Sequence, residues 1–450
     1  MREDTIVAIA TPPGQGGIGV IRISGPKAET ILQTVFTPAG GWTAVPESHR
    51  MMYGHLMDEE ETVDECMAVL MRAPRSYTRE DVAEIQTHGS AAVLQKGMEL
   101  CMAAGARLAD PGEFTRRAFL NGRIDLSGAE AVMRLIAARG EQERRAAVQD
   151  LQGGVTAFVR KASDDLYALQ AGLAACIDYP EEVSEEEGTA RLTRGLERLI
   201  ETLESAVDER KSRLLRDGFR VVLAGRPNAG KSSLLNALLG EERAIVTPIP
   251  GTTRDTVYGE MMLDGIRLEL TDTAGLRRTE DPVEKIGVRR SEKAQAEADL
   301  VLMVLDGTLP LSAEEKERLL ALDTQAIVLI NKGDLPAVIS AQDIRALLPA
   351  HRVLTVSALD PESLVTLKEI LREYVRVSDR MTLLQPRHSA AARRAILDLR
   401  SALNTVRQGL PPDMASTDLQ SAQEALAEIT GDRADEKLLD AVFSQFCVGK

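Results

Sequence analysis

The chain has 450 residues, which is enough for about three domains of ordinary size. Hydrophobic residues make up 44% and charged residues 27% of the chain, a composition that excludes a disordered protein. The formal net charge of −15 excludes a protein coated evenly with positive charge, so a nucleic acid would have to bind a local patch. The four cysteines form no C-x-x-C pair, and no apolar run suits a signal peptide or a membrane helix. We therefore expect a reduced, cytoplasmic protein without membrane contact.

Three kinds of segment follow one another along the chain. Residues 1–120 mix short strand-like runs with turns, which predicts an α+β domain. Residues 121–216 and 379–450 carry apolar residues at helical spacing, which predicts a discontinuous helical domain. Residues 217–378 alternate strands and helices, which predicts an inserted α/β domain with a parallel sheet and helices on both faces. Its predicted strands cover residues 219–224, 268–271, 300–305, 327–330 and 353–356.

A phosphate-binding loop follows the first of these strands. Residues 225–232, GRPNAGKS, fit the pattern G-x-x-x-x-G-K-S and open a predicted helix. In such a loop the backbone N–H groups and the helix N-terminus bind phosphate oxygens. Lys231 is expected to reach the β- and γ-phosphates, and the Ser232 hydroxyl is expected to ligate Mg²⁺.

Three more motifs follow later strands in the order found in GTPases. Residues 272–275, DTAG, place an aspartate near the Mg²⁺ shell and a glycine near the γ-phosphate. Residues 331–334, NKGD, place Asp334 where it can accept two N–H bonds from guanine, and Ser357 and Ala358 suit a backbone contact to the base. Together the motifs resemble those of translation-factor and Ras-type GTPases over the whole α/β domain.

The residue that orients the attacking water is not evident from these motifs. Leu276 stands where small signalling GTPases have a glutamine, and leucine cannot hydrogen-bond water. Residues 247–255, TPIPGTTRD, are interpreted as the first switch region, where a threonine completes the Mg²⁺ shell when the γ-phosphate is present. The candidates for the missing role are charged residues of the two switch regions: Arg254, Arg277, Arg278, Glu280, Asp281 and Glu284.

The flanking domains carry motifs of one particular GTPase family. Residues 11–25 (TPPGQGGIGVIRISG), 76–84 (SYTREDVAE), 111–122 (PGEFTRRAFLNG) and the final FCVGK closely resemble the MnmE (TrmE) tRNA-modification GTPases. The GRPNAGKSSLLNALLG and GTTRD runs resemble them too, so the resemblance spans the chain. It implies an N-terminal domain that binds tetrahydrofolate and dimerises, a helical domain and an inserted Ras-like GTPase domain.

The resemblance also implies a function. Such proteins work with the flavoprotein MnmG (GidA), in a heterotetramer or larger complex, on certain tRNAs. Together they add an aminomethyl or carboxymethylaminomethyl group to C5 of the wobble uridine, position 34. The one-carbon unit comes from a 5-formyl or 5,10-methylene tetrahydrofolate, and GTP hydrolysis requires K⁺ and contact between the GTPase domains of a homodimer.

Matched positions carry the implied site residues. Arg22, Glu84, Arg123 and Lys450 match the folate-binding set, although many relatives have lysine at the position of Arg123. Asn228, Thr247, Ile249 and Thr252 match the K⁺ site, Ser232 and Thr253 match the Mg²⁺ ligands, and Glu284 matches the catalytic glutamate. The positions implied to bind GTP are Asn228, Ala229, Gly230, Lys231, Ser232, Ser233, Thr247, Pro248, Ile249, Pro250, Gly251, Thr252, Thr253, Asp272, Thr273, Ala274, Gly275, Asn331, Lys332, Asp334, Ser357 and Ala358.

Two features have more than one interpretation. Cys447 is either a nucleophile that assists the uridine chemistry or a small buried residue that closes the folate pocket. Residues 379–409 hold six arginines and two aspartates. Arg380, Arg387 and Arg394 are seven residues apart, as are Arg393, Arg400 and Arg407, which predicts two basic stripes on a helix. These stripes either follow a tRNA backbone or form a solvated or dimer-contact face.

Two other functions compete with tRNA modification. A ribosome-assembly GTPase would explain the nucleotide motifs but would leave the N-terminal motifs and the terminal C-x-G-K without a role. A regulatory GTPase switch would have an N-terminal domain with a purely structural role.

Overall fold

The computed structural model divides into two compact units. The first comprises Met1–Ile136, Ala147–Leu203 and Ala390–Lys450, and the second comprises Ala137–Ala146 and Glu204–Ser389. The structure describes residues 4–42, 46–178, 185–240, 257–272, 295–322, 325–411 and 413–449. The predicted boundaries of three domains stay a prediction.

The first unit contains a seven-stranded sheet in the order β3-β4-β5-β6-β2-β1-β7. Neighbouring strands are antiparallel except for the parallel pair of β1 and β7. Buried apolar side chains such as Ile21, Ile23 and Ile85 form its core with the helices that cover one face. The strands are β1 (Ile6–Ile9), β2 (Gly16–Ser24), β3 (Phe36–Pro38), β4 (Met52–Asp58), β5 (Glu61–Met71), β6 (Val82–Gly89) and β7 (Arg107–Leu108).

The second unit contains a six-stranded sheet in the order β13-β12-β11-β8-β10-β9. Five of these strands are parallel, as predicted, but β9 pairs antiparallel with β10 and was not predicted. The central strands are buried along almost their whole length, as expected when helices cover both faces. The strands are β8 (Phe219–Ala224), β9 (Val257–Leu263), β10 (Ile266–Asp272), β11 (Leu300–Asp306), β12 (Ala326–Asn331) and β13 (Arg352–Thr355).

Helices account for most of the remaining described residues. Several start at a polar N-cap; Ser312, for example, forms a capping box with Glu315. None of the helices in the described part of the chain has both the length and the apolar character needed to cross a membrane. The helices are Ala28–Val35, Ala91–Ala103, Glu113–Leu120, Leu126–Ala137, Glu141–Leu151, Gly154–Asp178, Glu185–Ala206, Glu209–Asp217, Lys231–Gly240, Ala313–Leu320, Ala341–Leu347, Pro361–Val375, Pro386–Arg407, Asp413–Thr430 and Glu436–Phe443.

Within the first unit, the end of the chain packs against the helix that begins at Leu126 through aromatic residues. Phe443 and Phe446 are buried together with Leu126, and their rings lie 5.5 Å apart between centroids. Burial of each phenylalanine contributes about 1.5–3 kcal/mol, which holds the terminal segment in place. Gly449 continues this segment with φ of 93°, and a Cβ there would lie 2.4 Å from the carbonyl oxygen of Ile9. The terminal segment therefore needs glycine at this position.

Candidate functional site

The loop after β8 has two positions whose backbone only glycine permits. Gly225 has φ of 144°, and a Cβ there would lie 2.2 Å from the carbonyl oxygen of Val304. Gly230 has φ of 89°, and a Cβ there would lie 2.1 Å from Asn331 Nδ2. Asn228 also has a positive φ of 63°, which asparagine tolerates better than most residues. The glycines of the motif thus allow the loop to approach β11 and the Asn331 side chain closely.

Lys231 begins the helix that follows this loop. Its side chain is buried, and its ammonium donates hydrogen bonds to the carbonyl oxygens of Gly225 at 3.0 Å and Arg226 at 2.8 Å. The positive charge therefore lies inside the curve of the loop, beside the N-terminus of the helix Lys231–Gly240. A positive charge and a helix N-terminus both favour a bound phosphate.

A hydroxyl next to Lys231 in the sequence meets a carboxylate. Ser232 Oγ donates a hydrogen bond to Asp272 Oδ2, and Asp272 is fully buried at the end of β10. Mg²⁺ prefers oxygen ligands of this kind and is usually completed by water and substrate phosphates. Ser232 and Asp272 therefore fit the metal ion that the sequence predicts.

The base-recognition motifs lie at the ends of the next strands. Asn331 Nδ2 donates a hydrogen bond to the carbonyl oxygen of Ala229 at 2.8 Å, so the motif supports the phosphate loop. Asn331 Oδ1 is buried and has no hydrogen-bond partner within the described residues. Asp334 Oδ1 accepts a hydrogen bond from Ser357 Oγ at 2.6 Å, and Ala358 follows Ser357. An orphaned acceptor and a paired carboxylate at one end of the sheet fit a ligand with N–H donors, such as guanine.

Lys332 is held by an aspartate that the sequence did not mark. Its ammonium pairs with Asp306 Oδ2 at 2.7 Å, and its backbone has φ of 63°. Burial alone would raise the pKa of Asp306, but hydrogen bonds from Lys332 and Thr308 outweigh it and hold the pKa below its ordinary value. Asp306 therefore stays ionised and fixes the lysine. Asp306 is the last residue of β11, and the other motifs also lie at the carboxyl ends of strands; this position in the sequence is the signal that would have identified it.

Part of the predicted nucleotide site lies outside the described residues. Ser233 is described and follows Ser232 in the helix. The predictions for the K⁺ loop, for one Mg²⁺ ligand, for the catalytic glutamate and for the terminal lysine stay predictions. The predicted binding and catalytic residues that lie outside the described part of the chain are Thr247, Pro248, Ile249, Pro250, Gly251, Thr252, Thr253, Thr273, Ala274, Gly275, Glu284 and Lys450. Leu276 and the other candidates for the water-orienting role, Arg254, Arg277, Arg278, Glu280 and Asp281, lie outside it too.

A second cluster of predicted residues lies in the first unit. Arg22 on β2 is opposite Glu84 on β6, and its Nε donates to Glu84 Oε1 at 2.7 Å. Arg22 Nη1 also donates to the carbonyl oxygen of Gly449 at 3.2 Å. Both strands are interior strands of the sheet, so the pair is not a solvated charge at a sheet edge. Arg22 therefore brings together residues that are 427 positions apart in sequence.

Arg123 and Cys447 belong to the same neighbourhood. The guanidinium of Arg123 lies 4.7 Å from the ring centroid of Tyr77, and Arg22 lies 5.6 Å from that centroid. Cys447 is exposed, and its carbonyl oxygen faces the N–H of Gly112 at 3.5 Å. The interpretation of Cys447 as a buried residue that closes a pocket is therefore wrong, because the neighbouring Phe446 fills the buried position. The nucleophile hypothesis stays a prediction.

The predicted arginine stripes are only partly present. The helix begins at Pro386, so Arg380 lies before it and belongs to no stripe on its surface. The proline at the first helical position starts the helix there. Arg394 pairs with Glu428, and Arg407 pairs with Glu197. These exposed pairs involve two of the six arginines, and the tRNA hypothesis for this surface stays a prediction.

The motifs and the sheet together define the class of protein. The phosphate loop follows β8, Asp272 ends β10, Asn331 ends β12 and Ser357 follows β13, so all lie at the carboxyl ends of parallel strands. This is the arrangement of a P-loop GTPase fold, in which ligands bind at that end of the sheet. The fold class predicted from sequence is confirmed.

Comparison with known proteins identifies the family. A family model described as GTP-binding protein TrmE N-terminus matches residues 5–123, and one described as MnmE helical domain matches residues 126–447. The tRNA modification GTPase MnmE of Heliobacterium modesticaldum is 44% identical over 100% of both chains. That of Bacillus velezensis is 42% identical over 99% of this chain and 100% of its own. The chain belongs to the MnmE family of tRNA modification GTPases.

One solved structure adds a more distant likeness. The G domain of the T. maritima FeoB iron transporter is 31% identical over 35% of this chain and 99% of its own, with a TM-score of 0.29. The family resemblance seen in the sequence motifs is confirmed by the full-length relatives, not by this structure.

Proposed function

We propose that the protein hydrolyses GTP to support modification of the wobble uridine of certain tRNAs. With the flavoprotein MnmG, it adds a (carboxymethyl)aminomethyl group to C5 of uridine 34, and tetrahydrofolate supplies the one-carbon unit. Relatives that match the whole chain are named tRNA modification GTPases, which supports this assignment.

One observation carries the folate part of the proposal. Arg22, Glu84 and the terminal segment at Gly449 meet in the first unit, away from the nucleotide motifs in sequence. A carboxylate suits the guanine-like edge of a pterin, and arginines suit the glutamate tail of a folate. The Arg22–Glu84 pair is mostly buried, so its charges interact more strongly with a ligand than the charges of a pair at the surface would.

The nucleotide site has a distinct role for each described side chain. Lys231 binds the phosphates, Ser232 and Asp272 hold the metal shell, and Asp334 selects guanine because guanine offers two N–H donors. Mg²⁺ neutralises charge on the phosphates when it is bound, and K⁺ beside Asn228 supplies charge that an arginine finger supplies in other GTPases. Glu284 orients the attacking water, a role that Leu276 cannot take.

The proposed assembly follows from the same family membership. Residues 1–120 form the folate-binding domain through which two copies dimerise in the cytoplasm. Residues 121–216 and 379–450 form the helical domain, and residues 217–378 form the GTPase domain. The GTPase domains of a homodimer meet when GTP and K⁺ are bound, and MnmG joins the dimer in a heterotetramer or larger complex.

GTP turnover in K⁺ compared with Na⁺ tests the hydrolytic part. We expect faster turnover in K⁺, and a loss of roughly 100-fold or more in Glu284→Ala, the scale of a lost water-orienting group. Glu317→Ala, at an exposed glutamate of the second unit, is the control and is expected to retain most activity. Equal turnover in both salts, or full activity of Glu284→Ala, would contradict the mechanism.

Binding of 5-formyltetrahydrofolate separates the proposal from its two rivals. A ribosome-assembly GTPase or a regulatory switch has no folate site, so calorimetry on the full chain would show no heat of binding. We expect saturable binding with one ligand per chain.

A further inference from the structure

The ring of Tyr77 lies close to two arginines of the predicted folate set. The guanidinium carbon of Arg123 is 4.7 Å from the ring centroid, and that of Arg22 is 5.6 Å from it. Both distances are within the range in which a cation is attracted to the face of an aromatic ring. Arg22 also lies 5.8 Å from the ring of Phe114, so this guanidinium has a second aromatic neighbour.

Several contacts fix the ring in this position. The Tyr77 hydroxyl shares a hydrogen bond of 2.9 Å with the hydroxyl of Thr115, which is buried. The ring packs against a small buried cluster that includes Ile6 and Phe114. The next residue is also anchored, because Asn121 Nδ2 donates to the carbonyl oxygen of Thr78 at 2.6 Å. Tyr77 is therefore a rigid platform.

The two arginines differ in what else they contact. Arg22 pairs with Glu84 and donates to Gly449, so two of its five N–H donors are already used within the protein. Arg123 is exposed and forms no ion pair with any residue in the described part of the chain. Its guanidinium is held by the Tyr77 ring and still offers its N–H donors to a ligand. A long side chain that is already ordered loses less rotamer freedom when it binds.

We infer that Tyr77 is a positioning residue of the tetrahydrofolate site: its ring holds Arg123 ready to bind a carboxylate of the glutamate tail. The inference rests on the proposed function. It assigns a role to a residue that touches both arginines but is not one of the charged groups expected to bind the ligand.

A double-mutant cycle on the full chain tests this role by calorimetry with 5-formyltetrahydrofolate. Tyr77→Leu and Arg123→Ala are each expected to weaken binding roughly tenfold, the scale of one charge-assisted hydrogen bond. Because both changes remove the same contact, the double variant is expected to bind no more than about threefold more weakly than Arg123→Ala. Tyr77→Phe keeps the ring and is expected to remain within about threefold of the unaltered protein.

Additive losses in the double variant would overturn the inference, since they would show that Tyr77 acts independently of Arg123. Full affinity of Tyr77→Leu would overturn it too. Tyr77→Met keeps the buried volume without an aromatic face and carries the same test if the leucine variant fails to fold. Tyr167→Leu, at an exposed tyrosine on the helix Gly154–Asp178, is the matched control and should bind normally. Absence of binding by the unaltered protein would instead overturn the proposed folate function and this inference with it.

Discussion

The nucleotide site of the second unit and the Arg22 cluster of the first unit are built in different ways. The phosphate loop is a continuous segment whose lysine bonds to carbonyl oxygens of its own loop. The Arg22 cluster is assembled from β2, β6, the loop with Tyr77 and the terminal segment at Gly449. The conformation of the loop depends mainly on its own residues and on Asn331, which donates to it, whereas an assembled cluster depends on every segment that contributes to it. A substitution in one site should therefore impair GTP turnover or folate binding, but not both.

Removal of the phosphate-loop ammonium is expected to have the largest effect. Lys231→Ala should reduce GTP turnover roughly 100- to 1000-fold, because one preorganised charge on the phosphates is lost. Lys316→Ala, at an exposed lysine of the same unit, is the matched control for turnover. Near-normal turnover of Lys231→Ala would show that the loop does not bind the phosphates.

Removal of the central arginine is expected to affect the other site. Arg22→Ala should weaken binding of 5-formyltetrahydrofolate roughly 10- to 100-fold, since Glu84 loses its partner and the terminal segment loses a donor. Calorimetry measures this loss. Arg50→Ala provides the control, because Arg50 is exposed and pairs with Glu47 at the surface. Equal affinity of the two variants would contradict the assignment of Arg22.

The terminal segment gives a sharper test of the assembled cluster. A Cβ on Gly449 would lie 2.4 Å from the carbonyl oxygen of Ile9, so Gly449→Ala should displace the segment and weaken folate binding roughly tenfold. Gly409→Ala is the control, because Gly409 also has a positive φ, 66°, but nothing lies within 4 Å of a Cβ there. Calorimetry should therefore show a loss of affinity in the first variant only. Loss of affinity in both would point to backbone strain in general.

The smallest expected effect concerns stability against acid. Burial alone would raise the pKa of Glu113, but hydrogen bonds from Arg107 and Arg117 hold it below its ordinary 4.5. Because the pKa is lower in the folded state, this stabilisation is complete above about pH 4.5 and is lost as the pH falls through the folded value. Glu113→Gln should therefore destabilise the protein by about 1–3 kcal/mol at pH 7.

Urea unfolding at pH 7 and pH 3 measures that difference. The gap between Glu113→Gln and the unaltered protein is expected to narrow at the lower pH. Glu60→Gln, at an exposed glutamate of the same unit, should show no gap at either pH. A gap that is constant with pH would mean that packing, rather than charge, makes Glu113 important.

Sequence reasoning succeeded where the chemistry is local. The phosphate loop, Asp272 and Asn331 each follow a strand in the primary sequence, so their meeting at one end of a parallel sheet could be predicted. Strand β9 was not predicted because its sequence, VYGEMML, lacks a regular alternation of polar and apolar residues; it pairs with β10 across the tight Asp264–Gly265 turn. Local periodicity in the sequence therefore predicted the central strands of the sheet but not the pairing of β9 at its edge.

Long-range contacts limited the prediction elsewhere. Only the family resemblance placed Arg22 and Lys450 in one folate-binding set, because no local pattern links residues so far apart in sequence. Tyr77 lay within a quoted motif, yet its role depends on two arginines brought together by folding. The exposure of Cys447 also depends on its neighbours in space. The start of the helix at Pro386, in contrast, has a local cause, because proline favours the first position of a helix.

The most direct measurement is reconstituted modification of an unmodified tRNA, followed by mass spectrometry of the wobble nucleoside. The mixture contains this protein, MnmG, GTP, K⁺, 5,10-methylenetetrahydrofolate and either glycine or ammonium. We predict an added (carboxymethyl)aminomethyl group on uridine 34 that disappears when GTP or the folate is omitted, and also with Lys231→Ala or Arg22→Ala. GTP hydrolysis without any change in the mass of that nucleoside would contradict the proposed function.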